Sequence, residues 1–558
     1  MSIALSSLCA HKGVRNVRVN PPETPACYTK SMEITIARES LATGQKALDI
    51  NLSNQKYGTF AEIGAGQEVV RWFFRVGAAA NTIAKSISAY DMTISDAIYG
   101  ECARYVSRDR LEKMLAYEYE LLVERLKTKR GDATEFFAFA DTVTTRNFKG
   151  TNECHGWMGL MFQTEPHKEP NTILVHVRML DADRVAQQEA LGIIGINLCY
   201  GCFFHWNNVD VFLKSLLDNL STDRIEVDMI HFSGPDFEGH DHRLTAVKLV
   251  KLGLTDAAMF RPDGEVLQPS EVLYKRPVVV ERGSFRPPTH VNMDLMECAR
   301  SQFIADWGEE ADNPIVLFEI TLKQLALKES GEMQEEDVDW DDFLARCELL
   351  AATGATVLIS DYFEYYRLAQ YLGRYTKKHI ALAMGIPSLK DLFDEKYYEH
   401  LEGGILESFG RLFKNDLRLY VYPLLEDKYH LVTTQRLRVA PHLQNLYAHL
   451  VEQGSIQPID FYDRDYLGIF SRDVLRRIAA DDSSWETMVP ENVRDLIKER
   501  GYFGYHDPNA PAPQPKEPAQ GATELEPLDG VAATPAQANE VEKMPLHANG
   551  AAPVGSAS

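Results

Sequence analysis

Five groups able to act as acid, base or metal ligand fall within seven residues of one stretch, Ser233-Gly-Pro-Asp236-Phe-Glu238-Gly-His240-Asp241-His242-Arg243. An apolar run precedes it and an amphipathic one follows, so the stretch reads as the turn from the carboxyl end of a strand into a helix. Open α/β sheets place their ligands at such turns. Asp236, Glu238, His240 and Arg243 are therefore the candidate catalytic residues. His240 and His242, with a neighbouring carboxylate, could take a divalent metal. Arg243 could instead clamp a phosphate or carboxylate. The plainer alternative is a solvated loop in which Asp241 or Asp236 caps the helix.

A second strand-to-helix turn, Glu62-Ile-Gly64-Ala-Gly66-Gln-Glu68, has glycines that would let the backbone approach a phosphate. The third glycine of the dinucleotide fingerprint is replaced by Val69, and Glu62 and Glu68 would repel an anion. Glu62, Gly64 and Gly66 are the candidate cofactor-binding residues, joined by Arg286 from the basic stretch Lys275, Arg276, Arg282 and Arg286. Cys199-Tyr-Gly-Cys202 could be a redox dithiol or half a zinc site, but apolar neighbours and the absence of a matching pair favour two buried structural thiols. Asp361 and Glu364 match a helix capping box, and Tyr362, Phe363, Tyr365 and Tyr366 beside them suit core packing better than stacking on a base. Glu402-Gly403-Gly404 is a weak phosphate-turn candidate. No P-loop, HExxH, GxSxG or kinase signature occurs.

The elements that must position these groups alternate. Thr59–Ile63, a helix ending at Gly77, and a strand near Thr82–Ser88 open the series. Arg108–Arg130 carries an apolar stripe at helical spacing and stops at Gly131, before the strand FFAFADTV. Ile225–Phe232, the helix HRLTAVKLVKLG and the strand LTDAAMF read as a βαβ unit. The stretch from Asp263-Gly264 to Gly283 reads as a hairpin. Ile315–Ile320, Thr356–Ser360, His379–Met384 and Leu417–Tyr422 are continuous apolar runs, as in parallel strands buried on both faces, and Ser471–Tyr502 is a closing helical segment. The fold expected is α/β and Rossmann-like: mostly parallel sheets with helices on both faces, plus a hairpin-containing central region.

At about 150 residues per domain, a chain of 558 residues suggests roughly three to four domains. The composition predicts a disordered extension over 1–31, α/β domains over 32–185, 186–328 and 343–506, and a disordered Pro/Ala-rich tail over 507–558. The acidic stretch Glu329–Asp342, with eight acidic residues and no basic one, marks a surface loop or junction. A net charge of −23 argues against a nucleic-acid or anionic-membrane binder. Eight scattered cysteines fit a reducing compartment, the N-terminus lacks a signal-peptide pattern, and Ala190–Phe204 is too short for a membrane helix. A cytoplasmic location is expected.

The strings YGTFAEIGAGQE, AKSISAYDM, IHFSGPDFEG, QPSEVLYKRPVVVERGSFRP, LEGGILESFGRLF and IFSRDVLRRI, spread over residues 32–505, resemble a poorly characterised group of bacterial proteins. Its members carry the labels nicotinate/nicotinamide mononucleotide adenylyltransferase or TonB-dependent receptor. The receptor label would require a signal peptide and many alternating strands. The transferase label implies a nucleotide-binding α/β body, without that family's HxGH motif, so no catalytic residue is carried over. The expected function is an enzyme, a nucleotide-dependent transferase, acting on a nucleotide or small phosphorylated metabolite, with nucleotidyl transfer and Mg2+ or another divalent metal as its chemistry. Its expected partners are a small-molecule substrate and further copies of itself in a homo-oligomer, with no nucleic acid and no membrane. The alternative is a non-catalytic self-assembling scaffold or regulatory protein. The enzymatic expectation requires the turns at Gly64–Glu68 and Asp236–Arg243 to share one rim of a sheet.

Overall fold

A computed structural model describes residues 40–64, 66–325, 338–426 and 430–506. The terminal segments 1–31 and 507–558, and the acidic stretch up to residue 337, lie outside the described residues. Two large sheets carry the architecture. The first contains β1 (Lys56–Ile63), β2 (Ile83–Ile87), β3 (Glu135–Thr144), β4 (His155–Phe162), β5 (Asn171–Met179) and β6 (Ile225–Ser233), in the order β2-β1-β3-β4-β5-β6. The second contains β7 (Ala257–Phe260), β8 (Val266–Leu267), β9 (Val278–Arg282), β10 (Ile315–Thr321), β11 (Thr356–Ser360), β12 (Ile380–Gly385) and β13 (Arg418–Tyr422). A short ladder of β14 (Leu424–Leu425) and β15 (Leu431–Val432) follows, and β16 (Ile456–Pro458) completes the second sheet in the order β16-β13-β12-β9-β10-β11-β7-β8.

Burial on both faces explains the continuous apolar runs. Along β3, Phe137 and Phe139 pack into a core with Val69, Ile194 and Phe203, while Phe136, Ala138 and Ala140 face Leu111, Leu115 and Trp157. Successive strand side chains point to opposite faces, so a strand covered on both sides needs apolar residues at every position. The helix Arg184–Phe204 supplies the first cover and Arg108–Arg130 the second. The run Ala190–Phe204 is thus the body of a buried helix, and no described helix is long and apolar enough to cross a membrane.

The α/β class stands, but the mostly parallel expectation applies only to the second sheet. There β9 to β13 and β16 run parallel, with β7 and β8 as an antiparallel edge. In the first sheet β1 is parallel to β2 and β3, whereas β3, β4, β5 and β6 are successively antiparallel. The expected βαβ unit does not form either. The helix His242–Lys251 leaves β6 in the first sheet and leads to β7 in the second. The Asp263-Gly264 turn does join a hairpin, with Gly264 at φ +83°, but its second arm is only β8. Val278–Arg282 instead becomes a central strand.

The three α/β domains expected from composition are replaced by two sheets, and the described residues form one compact unit. The boundary at 185/186 falls inside the Arg184–Phe204 helix. The acidic stretch is no domain junction, because β10 before it and β11 after it are hydrogen-bonded neighbours. Its last residues enter the helix Trp340–Ala352, where Asp339 caps the N-terminus and Asp341 and Asp342 sit in the first turn. Negative charge is favourable there.

Candidate functional site

The two turns singled out in the sequence lie on opposite rims of the first sheet. Strand β1 runs parallel to β3, β4 reverses, β5 reverses again, and β6 therefore runs against β1. The carboxyl end of β1 at Ile63 and that of β6 at Ser233 are separated by a strand length, roughly 25 Å. The shared hollow that the enzymatic expectation required does not exist.

Each turn is also occupied by its own side chains. Asp236 accepts hydrogen bonds from Thr164 Oγ1 (2.8 Å), Lys168 Nζ (2.6 Å) and Asn171 Nδ2 (2.7 Å), which pins this corner to the β4–β5 connection. Partial burial raises its carboxyl, but these bonds outweigh it and leave the group below the ordinary range. Asp241 caps the next helix and holds Arg243 in a fork, Nε at 3.0 Å and Nη2 at 2.7 Å, so that guanidinium is not turned to a ligand. Glu238 is exposed and belongs to no described hydrogen bond. His240 Nε2 bonds Thr245 Oγ1 at 2.8 Å, and His242 stacks on His231 with ring centroids 4.4 Å apart. Burial pushes His231 down to about 3 and His242 to about 4, so both are neutral at ordinary pH. The expected metal site at His240 and His242 is not assembled: among the described residues no group of three or more His, Cys, Asp or Glu is placed to hold a metal ion.

At the other turn the anion is internal. Glu62 accepts from the backbone N–H groups of Val69 (3.0 Å) and Val70 (2.9 Å), filling the helix N-terminus with its own carboxylate. Gly64 is needed for packing, since a Cβ there would lie 1.9 Å from the Val143 carbonyl oxygen. Arg286 belongs to a different region, donating to Asp342 at 2.5 Å. Cys199 and Cys202 are fully buried in a helix, with burial pushing both thiols far above their usual range, as structural thiols should be. Asp361 does not cap a helix; Glu364 occupies that position, before Tyr365–Tyr375. The Gly403 N–H is taken by Glu407 Oε2 at 2.9 Å.

Burial pushes the Glu62 carboxyl up to about 7, and it raises Asp141 beside it as well. Each group holds its proton more tightly folded than unfolded. Their ionisation therefore opposes folding, and the stability these two groups contribute falls as pH rises from the ordinary carboxylate range towards 7. Glu62 by itself accounts for about 2 kcal/mol in favour of pH 5.5 over pH 8. Denaturant titrations of the wild type and of Glu62→Gln at the two pH values should differ in their pH dependence by that amount.

A better-formed site lies on the second sheet. From β9 the chain adds β10 and β11 on one side, then returns to add β12, β13 and β16 on the other. The winding reverses between β9 and β12, where the outgoing connections diverge and leave a crevice at the strands' carboxyl ends. A cavity of about 290 Å³ opens there, walled by Arg282 at the end of β9, Thr321 at the end of β10 and Lys323 beyond it, Phe363 and Glu364 after β11, and Ser388 after β12.

Arg282 organises the floor. Its Nε and Nη2 donate to the two Glu319 oxygens at 2.8 and 2.9 Å, and its Nη1 donates to the Phe363 carbonyl at 2.7 Å. Glu319 is 0% exposed and also accepts from Ser360 Oγ at 2.6 Å, which ties β9, β10 and β11 together. The guanidinium lies 4.3 Å from the Tyr365 ring centroid, and the Tyr365 phenol bonds Ser388. On the opposite face of β9, Glu281 accepts from Asn292 Nδ2 at 2.7 Å, and burial pushes its carboxyl up to about 8.

Above the floor, Lys323 is exposed, with its ammonium 4.0 Å from the Phe363 ring, and no carboxylate pairs with it among the described residues. Phe363 meets Tyr397 edge to face at 4.9 Å. Gln324 uses its carbonyl oxygen on the Thr321 N–H at 2.9 Å, and Asp391 completes the polar rim. The crevice thus offers one available cation, an aromatic edge and hydroxyl groups, a set suited to an oxyanion joined to a flat ring.

Of these residues, Arg282 was noted in the sequence only as part of a basic stretch, and Phe363 and Tyr365 only as aromatics. Tyr362 and Tyr366 do pack in the core. Nothing local in the sequence marks Lys323, Ser388 or Tyr397; the one available signal was Glu319, a charged residue inside the apolar run IVLFEI. Also missed was a buried chain of His155, His176 and Asp228, with contacts of 3.0 and 2.5 Å.

The fold and crevice define an α/β protein whose second sheet is doubly wound. No family model matches the chain, and no curated protein matches it. Among solved structures, it is similar to the competence/damage inducible protein CihA from Agrobacterium tumefaciens, with 14% identity over 28% of this chain and 93% of that one, at a TM-score of 0.22. A CinA superfamily protein from Klebsiella pneumoniae matches at 13% identity over 30% of this chain and 100% of its own, TM-score 0.23. Another, from Escherichia coli, matches at 15% identity over 28% and 85%, TM-score 0.20. Similarity at this level assigns no function to the chain.

Proposed function

We propose that the protein binds a nucleotide or another small phosphorylated metabolite in the crevice between β9 and β12. Lys323 meets the phosphate, Phe363 and Tyr397 contact the ring, and Ser388 and Thr321 orient the ligand. The observation that carries this reading is the location: a cavity at the carboxyl ends of parallel strands, where the winding reverses, with an exposed cation that no carboxylate pairs among the described residues. In a chain with a net charge of −23, a local cation with an aromatic neighbour is a selective feature for an anion.

A thermal-shift and calorimetric panel of nucleoside monophosphates, dinucleotides and sugar phosphates tests it. At least one should bind saturably, with Lys323→Ala and Phe363→Ala each weakening it about tenfold, as expected for one charge-assisted or stacking contact. A panel with no binder, or binding indifferent to both substitutions, would sink the proposal.

A further inference from the structure

A second cleft opens on the opposite rim of the same sheet, where β12 and β13 begin. Its volume is about 440 Å³, and its floor is Ile380 and Leu417. Arg374 and Lys377 reach it from the end of the Tyr365–Tyr375 helix, and Arg411 and Lys414 from the end of Gly404–Leu412. All four cations are exposed, and no Asp or Glu lines the cleft. Such a concentration of positive charge is unexpected in a chain carrying −23.

Helix termini explain part of it. Each helix C-terminus presents about half a negative charge, which one cation per helix offsets. Arg411 is also paired with Glu407, and Arg374 lies 3.7 Å from Glu226, a carboxylate already bonded to Arg178 at 2.5 Å. Lys377 donates only to the Gly373 carbonyl, at 2.7 Å, and Lys414 has no carboxylate partner among the described residues. Two ammonium groups are therefore in excess. Asn415, held at φ +61°, brings its Nδ2 to 3.7 Å from the point that a Cβ on Gly373 would occupy. The missing side chain at Gly373 keeps the cleft open between them.

We propose that this cleft is an anion site for a diphosphate group, bound by Lys377, Lys414 and the Asn415 amide, with Arg374 and Arg411 at its edges. Two adjacent phosphates need more than one cation, and this cleft supplies Lys377 and Lys414 where the crevice supplies one. The site stands independently of the crevice on the other rim.

Isothermal titration of the full chain with pyrophosphate, and separately with ADP, tests the assignment. Saturable pyrophosphate binding should weaken as salt is raised and lose at least tenfold in affinity in Lys377→Glu/Lys414→Glu. Gly373→Leu, a substitution that favours the helix and fills the cleft, should abolish it with no loss of thermal stability. All of these titrations are made in the Lys323→Ala background, which removes the cation of the crevice, so that binding in the crevice does not enter them. Equal affinities for pyrophosphate and ADP identify the diphosphate alone as the ligand; tighter ADP binding, lost in the same variants, adds the nucleoside. Absence of saturable binding by either anion, or binding that survives Gly373→Leu and the double variant, overturns the proposal.

Discussion

Replacing Arg282 with Met should destabilise the protein by about 3–5 kcal/mol, as for a buried ion pair that loses one partner. Glu319 would keep its place at 0% exposure with only Ser360 donating to it, and the Phe363 carbonyl would lose its donor. Arg282→Lys should cost less, because a point charge remains while the two-pronged fork is lost. Arg282→Met/Glu319→Leu should recover most of the loss, since removing both charges leaves none uncompensated. Guanidinium denaturation of the three variants reads these differences. A loss below about 1 kcal/mol for Arg282→Met would mean that the pair is far more hydrated than its burial indicates.

The second large effect separates packing from ligand binding at the first βα turn. Gly64→Ala should cost at least about 3 kcal/mol, because the new Cβ would overlap the Val143 carbonyl 1.9 Å away and the backbone stands at φ +109°. Gly66→Ala meets nothing closer than a Glu68 oxygen at 4.0 Å. It should cost only the conformational penalty of its φ of +90°, about 1–2 kcal/mol. Equal costs for the two, accompanied by loss of nucleotide binding, would restore the phosphate-turn reading that Glu62 now contradicts.

That turn shows why local motifs misled. A strand, glycines and a helix N-terminus have the sequence appearance of an anion site whether the anion comes from solvent or from a side chain. Glu62 lies seven and eight residues before the amides that it caps, and only the geometry shows its carboxylate filling them. Asp236 is similar: its neighbours in sequence suggested chemistry, but its partners come from 65 to 72 residues away. Lys323 and Ser388 looked ordinary because nothing nearby in the chain marks them. Their relevance comes from β10 and β12 flanking the same central strand.

Residue order alone determined the α/β class, the positions of most strands and helices, the Asp263-Gly264 turn and the inertness of Cys199 and Cys202. Each depends on short-range periodicity, backbone preference or the solvation of a single side chain. Tertiary structure alone decided that β6 joins the first sheet antiparallel, that β9 lies at the centre of the second, and that the useful crevice forms beside β9. A strand's side-chain pattern records which of its faces are buried, while its backbone bonds to any neighbour in either direction. The choice of neighbour is made by how the whole core closes.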